Sequence, residues 1–314
     1  MPKTPMTTLL FTHPACIEHD PGPGHPENPK RLRAVLEALR RPEFADLGWR
    51  EARRATDAEL EHVHDRDYIA QVMQAVPQTG RVHLDLDTAL SPDSGEAALR
   101  AAGAVCAAVD AIAKGEAANA FCAVRPPGHH AERNRAMGFC LFNNVAVGAL
   151  HARLKHGWQR VAVVDFDVHH GNGTQDSFAS DADLFYASTH QWPAYPGTGT
   201  ADEHGVANNI VNAPLAPFSG SAEFHAAMTR IVLPAVSAFA PDFILISAGF
   251  DAHAGDPLAS LELHEDDFAW ITREIKKIAA ECCGGRLVST LEGGYDLHAL
   301  AESAAAHVSV LMNG

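Results

Sequence analysis

Short apolar runs alternate with longer helical patterns along this chain, and a polar cluster follows run after run. The run 161–166 is apolar almost throughout, as a strand covered on both faces must be. Runs 119–124, 184–187, 243–246 and 287–288 read the same way. Helical patterns lie between them at 29–39, 96–114, 222–239, 265–280 and 297–311, with Asp93 or Ser94 as a cap for the second and Gly115 as its stop. Strands alternating with helices predict βαβ units and a mostly parallel α/β sheet. In such a sheet, ligands sit beyond the carboxyl ends of the strands. Four clusters fall there: Arg125-Pro-Pro-Gly-His-His130, Asp165-Phe-Asp-Val-His-His170, residues 247–256, and Glu292-Gly-Gly-Tyr295.

The 314 residues contain no repeat, low-complexity tract or polar linker, which predicts one domain over 1–314. No apolar run reaches membrane-spanning length, and residues 1–11 lack the apolar core of a leader, so a cytoplasmic chain is expected. The six cysteines form no Cys-x-x-Cys pair and read as reduced thiols. A net charge of −15 argues against nucleic acid, whose phosphates it would repel.

Asp165, Asp167 and His169 share one face if the strand continues that far, and a carboxylate two residues from an imidazole can hold a divalent metal. One more carboxylate completes three protein ligands with an open position, the arrangement of catalytic zinc. Asp256, between Gly255 and Pro257, is the choice. Asp251 and His253 are rivals, with capping or supporting hydrogen bonds as their ordinary roles. The pair His129-His130 suits proton transfer near neutral pH. The glycines before Tyr295 leave its phenol free to point into a site, where a neutral donor can stabilise an oxyanion.

Taken together, these motifs, with Ser247-Ala-Gly-Phe-Asp251 and Gly255-Asp-Pro257, resemble the histone deacetylase and acetylpolyamine amidohydrolase superfamily, from about His13 to beyond Tyr295. The resemblance implies a three-layer α/β/α fold shared with arginase, with an eight-stranded, mostly parallel sheet. It implies one zinc, or iron(II), on Asp167, His169 and Asp256, and His130 as general base and acid. It also implies His129 as its electrostatic neighbour, oriented by Asp165, and Tyr295 as the carbonyl-polarising phenol. Asn172, as in class II and bacterial members, supports His130 and raises its basicity less than Asp would. Phe139, after Gly138, and Tyr195 match the walls of an acyl-lysine tunnel. Ser188 and Thr189, with Asp165, Asp167 and His169, match a structural potassium site, and Arg31 an internal exit channel. Leu258 stands where polyamine-selective relatives can carry glutamate, which favours acyl-lysine or another uncharged chain. The implied activity is hydrolysis of an acylated lysine or small acylated amine. An acetylpolyamine hydrolase, an arginase-like two-metal hydrolase and a non-catalytic acyl-lysine binder are the alternatives. The oligomeric state is open.

Overall fold

The computed structural model describes residues 8–313. Residues 1–7, part of the stretch read above as carrying no leader, lie outside the described residues, as does Gly314. The strands are β1 Leu9–Thr12, β2 Gly48–Glu51, β3 Val82–His83, β4 Ala89–Leu90, β5 Asn119–Cys122, β6 Val161–Asp165, β7 Leu184–Gln191, β8 Ile210–Leu215, β9 Phe243–Ala248 and β10 Leu287–Leu291. Eight of them form one sheet in the order β2-β1-β5-β10-β9-β6-β7-β8, while β3 and β4 make a small hairpin. Every pairing in the large sheet is parallel, so all its carboxyl ends face one way. The central strands β5, β6, β9 and β10 are buried along their whole length. That burial explains their unbroken apolar runs.

Helices cover both faces of the sheet. Ser94–Ala113 and Asn144–His156 pack together, and Glu265–Cys283, Leu297–Asn313 and Lys30–Ala38 form a second group. Asn143 caps Asn144–His156 by accepting from the Ala146 N–H at 3.0 Å, and Gly157 ends it in the left-handed region. Asp93 precedes Ser94–Ala113 but makes no side-chain cap bond. The Ser94 hydroxyl instead accepts from the Ser91 N–H at 2.7 Å.

The pattern at 222–239 is one helical path with a wide turn in it. Ser221–Ala227 and Leu233–Phe239 are α-helical, and Met228–Val232 between them is a π-helical turn. Pro234 lacks an N–H, and its ring crowds the carbonyl four residues back, so the turn before it widens. Strands β1, β2, β3, β4 and β8 have no counterpart among the apolar runs picked out in the sequence. Among the described residues, no helix is long and apolar enough to cross a membrane. All six cysteines are free thiols.

Candidate active site

Strand β6 ends at Asp165, and the chain beyond it folds around its own carboxylates. Asp165 Oδ1 accepts from the Asp167 N–H at 3.1 Å, and Asp167 Oδ1 from the His169 N–H at 2.9 Å. The loop after β10 meets this turn from the side, where the Gly293 N–H donates to Asp167 Oδ2 at 2.8 Å. Glycine is required at that approach: a Cβ on Gly293 would lie 2.1 Å from Asp251 Oδ2. The ligand-capable atoms of Asp167, His169 and Asp251 lie within 4.8 Å of one another. His169 Nδ1 is 3.2 Å from Asp167 Oδ1 and 3.1 Å from Asp251 Oδ2. Asp251 Oδ1 accepts from the Val168 N–H at 2.9 Å.

Asp256, the carboxylate chosen from sequence, lies on the loop after β9 and is held by the loop after β10. Its Oδ2 accepts from the Tyr295 N–H at 2.7 Å and its Oδ1 from the Leu258 N–H at 3.0 Å. Asp251, its rival, contacts His169 directly. His253 is drawn away towards Glu265 at 3.4 Å.

The two histidines after β5 differ in their partners. His129 Nδ1 donates to Asp165 Oδ2 at 2.9 Å, and that oxygen also accepts from the Tyr186 hydroxyl at 3.1 Å. His130 Nδ1 pairs with Asn172 Oδ1 at 2.8 Å. The Asn172 amide donates to Glu132 at 2.8 Å, so its oxygen faces His130, and His130 Nδ1 carries the hydrogen. The His130 Nε2 lone pair is left free. The two ring centroids lie 4.0 Å apart with the planes tilted by 43°.

A cavity of about 210 Å³ opens above them, lined by Asp87, His130, Gly138, Phe139, His169, Tyr195, Leu258 and Tyr295. The Tyr195 ring stands edge-on to His130 with centroids 5.2 Å apart, and Phe139 to Tyr295 at 5.9 Å. Gly138 must be glycine: its φ is +55°, and a Cβ there would sit 2.4 Å from the His130 ring. Tyr195 and Leu258 are exposed at the rim. Ser188 pairs in register with Asp165, and its hydroxyl pairs with His190 Nδ1 at 2.9 Å. Thr189 is buried beside it on β7.

The electrostatics are lopsided. Burial opposes a charge on His129, but Asp167 and Asp165 outweigh it and push the pKa up to about 10. His169 also reaches about 10, as bonds to Asp167 and Asp251 overcome burial. His130 falls well below its usual value, through burial and then the charges of His129 and His169. Burial, then repulsion from Asp251, raises Asp256 to about 7. Burial likewise raises Glu292 to about 7. Five buried carboxyl groups (Asp165, Asp167, Asp251, Asp256 and Glu292) thus face two imidazolium groups, and burial with mutual repulsion keeps protons on part of the set. A divalent cation fits that imbalance and that oxygen-and-imidazole donor set.

A histidine pair, a carboxylate-rich turn and a phenol around one cavity are the parts named by the resemblance, and comparison with known proteins settles the family. The histone deacetylase domain family matches residues 25–311. This chain belongs to the histone deacetylase family. It is 39% identical to the histone deacetylase-like amidohydrolase of Pseudomonas aeruginosa, over 92% of this chain and 81% of that one. It is 37% identical to a probable deacetylase of Archaeoglobus fulgidus, over 93% and 82% of the two chains. The crystal structure of the HDA15 HD domain superposes with a TM-score of 0.91 at 37% identity, covering 98% of this chain and 88% of that one. The predicted three-layer architecture is therefore the fold of the histone deacetylase family.

In this histone deacetylase family chain, several residues around the site escaped the sequence reading. Glu292 opens the Glu292-Gly-Gly-Tyr295 cluster, and its role comes from partners distant in sequence. It is fully buried and accepts from the Gly128 and His129 N–H groups at 2.6 and 3.2 Å. Glu27 binds both Arg31 and Arg125 in a fully buried group. Arg31 donates to the Gly294 carbonyl at 2.5 Å and the Glu292 carbonyl at 2.6 Å. Its guanidinium lies 4.7 Å from the Tyr295 ring centroid. Asp87 reaches the cavity from the loop between β3 and β4. Nothing in its local sequence distinguishes it from an ordinary turn aspartate.

Proposed function

We propose that the protein is a metal-dependent deacylase that hydrolyses the amide of acetyl-lysine or of a similar small acylated amine. The observation that carries this reading is the excess of buried carboxylate around His169, at the floor of a cavity walled by His130, Tyr295, Phe139 and Tyr195. Asp167, His169 and Asp256 would hold one zinc or iron(II), with Asp251 bracing His169. A bound divalent ion supplies Lewis acidity, polarising a carbonyl and acidifying water.

The remaining work falls to the chain's own side chains. Neutral His130, its Nδ1–H held by Asn172, takes a proton at Nε2 and returns it to the leaving amine. His129, tied to Asp165, stays cationic and lowers the affinity of His130 for a premature proton. Burial raises the Tyr295 pKa well above the usual phenol value, so it remains a donor to the developing oxyanion. Phe139 and Tyr195 flank an extended aliphatic chain, and the apolar Leu258 at the rim favours acyl-lysine over a polycation.

The experiment is a panel of acetyl-lysine peptide, acetylated polyamines and longer acyl-lysines, run with and without a chelator. Chelator-sensitive hydrolysis strongest on acyl-lysine is expected. Hydrolysis indifferent to metal removal, or two manganese ions that are both lost on Asp167→Asn, would overturn the reading. Comparing Asp256→Asn with Asp251→Asn in metal affinity separates ligand from brace. The ligand variant loses the metal, and the brace variant weakens it by about 10- to 100-fold.

A further inference from the structure

We propose that Asp110, His151 and His156 form a second divalent transition-metal site, remote from the cavity. His151 Nε2 and His156 Nε2 both point at one oxygen, Asp110 Oδ1, each from 2.8 Å. The three donor atoms lie within 4.8 Å of one another. Two imidazole nitrogens and one carboxylate oxygen make a borderline donor set that suits zinc, nickel or copper over calcium or magnesium.

The fold holds the three ligands firmly. Asp110 sits in the last turn of Ser94–Ala113, and both histidines sit in the second half of Asn144–His156. Those two helices pack against each other. They lead into β5 and β6, so the cluster lies at the amino-terminal edge of the sheet, opposite Asp165 and Asp167.

The surroundings are also those of a metal ligand. His151 is buried, with its second nitrogen, Nδ1, 3.2 Å from Glu59 Oε1. A carboxylate there fixes the imidazole with its hydrogen on Nδ1 and leaves Nε2 to bind. His156 Nε2 meets the same Asp110 oxygen, so an entering ion takes the place of the hydrogen between them. The Lys155 ammonium, 3.0 Å from Asp110 Oδ2, sits on a half-exposed side chain that can swing out as the ion enters. The cluster at His253, His264 and Glu265 fails the same reasoning. His253 Nδ1 accepts from the Gly255 N–H at 2.9 Å, so Nε2 carries the hydrogen and has no lone pair to give.

The test is equilibrium dialysis of the full chain against buffered free zinc, with metal counted by mass spectrometry. His156→Gln should bind one zinc fewer per chain than the wild type, with deacylase turnover within about twofold. The same difference of one should persist when Asp167→Asn is present in both proteins. Cobalt(II) should show an absorption band that His156→Gln removes and Asp167→Asn leaves. Asp110→Asn, which keeps the hydrogen-bond acceptor, repeats the count should the histidine variant fold poorly. Equal zinc in the wild type and both remote-site variants overturns the proposal and leaves an ion-pair network of Arg53 and Lys155 with Glu59 and Asp110. Failure of the catalytic-metal reading would appear differently, as an Asp167→Asn variant with undiminished zinc.

Discussion

At Glu27, two guanidinium groups close on one carboxylate; around Asp167, five carboxyl groups share two imidazoliums. Both groups are buried and both touch the turn from Glu292 to Tyr295, yet their balance is opposite. Burial disfavours the Glu27 charge, but Arg125 first and then His19 and Arg31 hold its pKa far below the usual range. The surplus guanidinium hydrogens go to carbonyls of Cys16, His19, Glu27, Glu292 and Gly294. That cluster is complete as the chain folds. The Asp167 cluster is short of positive charge, which marks it as the place where the protein takes something in.

The largest way to break this contrast is Glu27→Gln. Removing one partner of a buried ion pair costs about 3–5 kcal/mol, and here it strands two arginines. Denaturant unfolding should show that loss whether or not metal is present. A metal-dependent loss would mean that the two clusters are one system. Tyr295→Phe attacks the other side: folding should be unchanged, and turnover should fall by about 10²- to 10³-fold. An unchanged rate removes the phenol from the mechanism.

The cation deficit itself has a pH signature. Asp256 and Glu292, both raised to about 7, hold protons in the folded chain that the unfolded chain gives up near 4. Their folded pKa exceeds the unfolded one, so their contribution is complete in acid and is lost as pH rises through about 7. Metal-stripped protein should therefore lose stability relative to zinc-loaded protein between pH 5 and 8. Zinc at a hundred times its Kd should restore about 2.7 kcal/mol. Melting curves with and without chelator measure both effects, and a gap that does not widen with pH would sink the idea of a charge-short site.

Smaller effects sharpen the picture. Asn172→Ala removes the acceptor on His130 Nδ1, a buried bond worth about 1–3 kcal/mol, and should lower kcat by roughly 10-fold or somewhat more. Its pH–rate profile should shift, which a purely structural lesion would not cause. Leu258→Glu places a charge at an exposed rim position worth about 0.2–1 kcal/mol. The ratio of acetylpolyamine to acetyl-lysine hydrolysis should rise by only a few-fold.

Legibility in the sequence followed burial and spacing. Strand β6 and the residues after it were readable because an apolar run leads into alternating carboxylate and imidazole. The pairings of His129 with Asp165 and His130 with Asn172 join residues 36 and 42 positions apart. Those partners were named through the family resemblance; local patterning alone does not bring them together. Strand β2 escaped because Gly48-Trp-Arg-Glu51 lies at the sheet edge and is half-exposed, so it carries no apolar run. Glu27 escaped because its meaning lies in two arginines, one of them almost a hundred residues away. Asp251 meets His169 and Asp256 meets the Tyr295 N–H, contacts between distant segments that no local pattern records.

Because every strand of the large sheet runs the same way, the cavity walls come from separate connecting segments, carrying Asp87, Phe139, Tyr195, Leu258 and Tyr295. None of these contributes to the sheet ladder. Substitutions in one segment therefore change what enters the mouth while the carboxylate-rich floor stays intact. An engineer seeking a new acyl preference should randomise the segments carrying Asp87, Tyr195 and Leu258 and leave the scaffold beneath them alone.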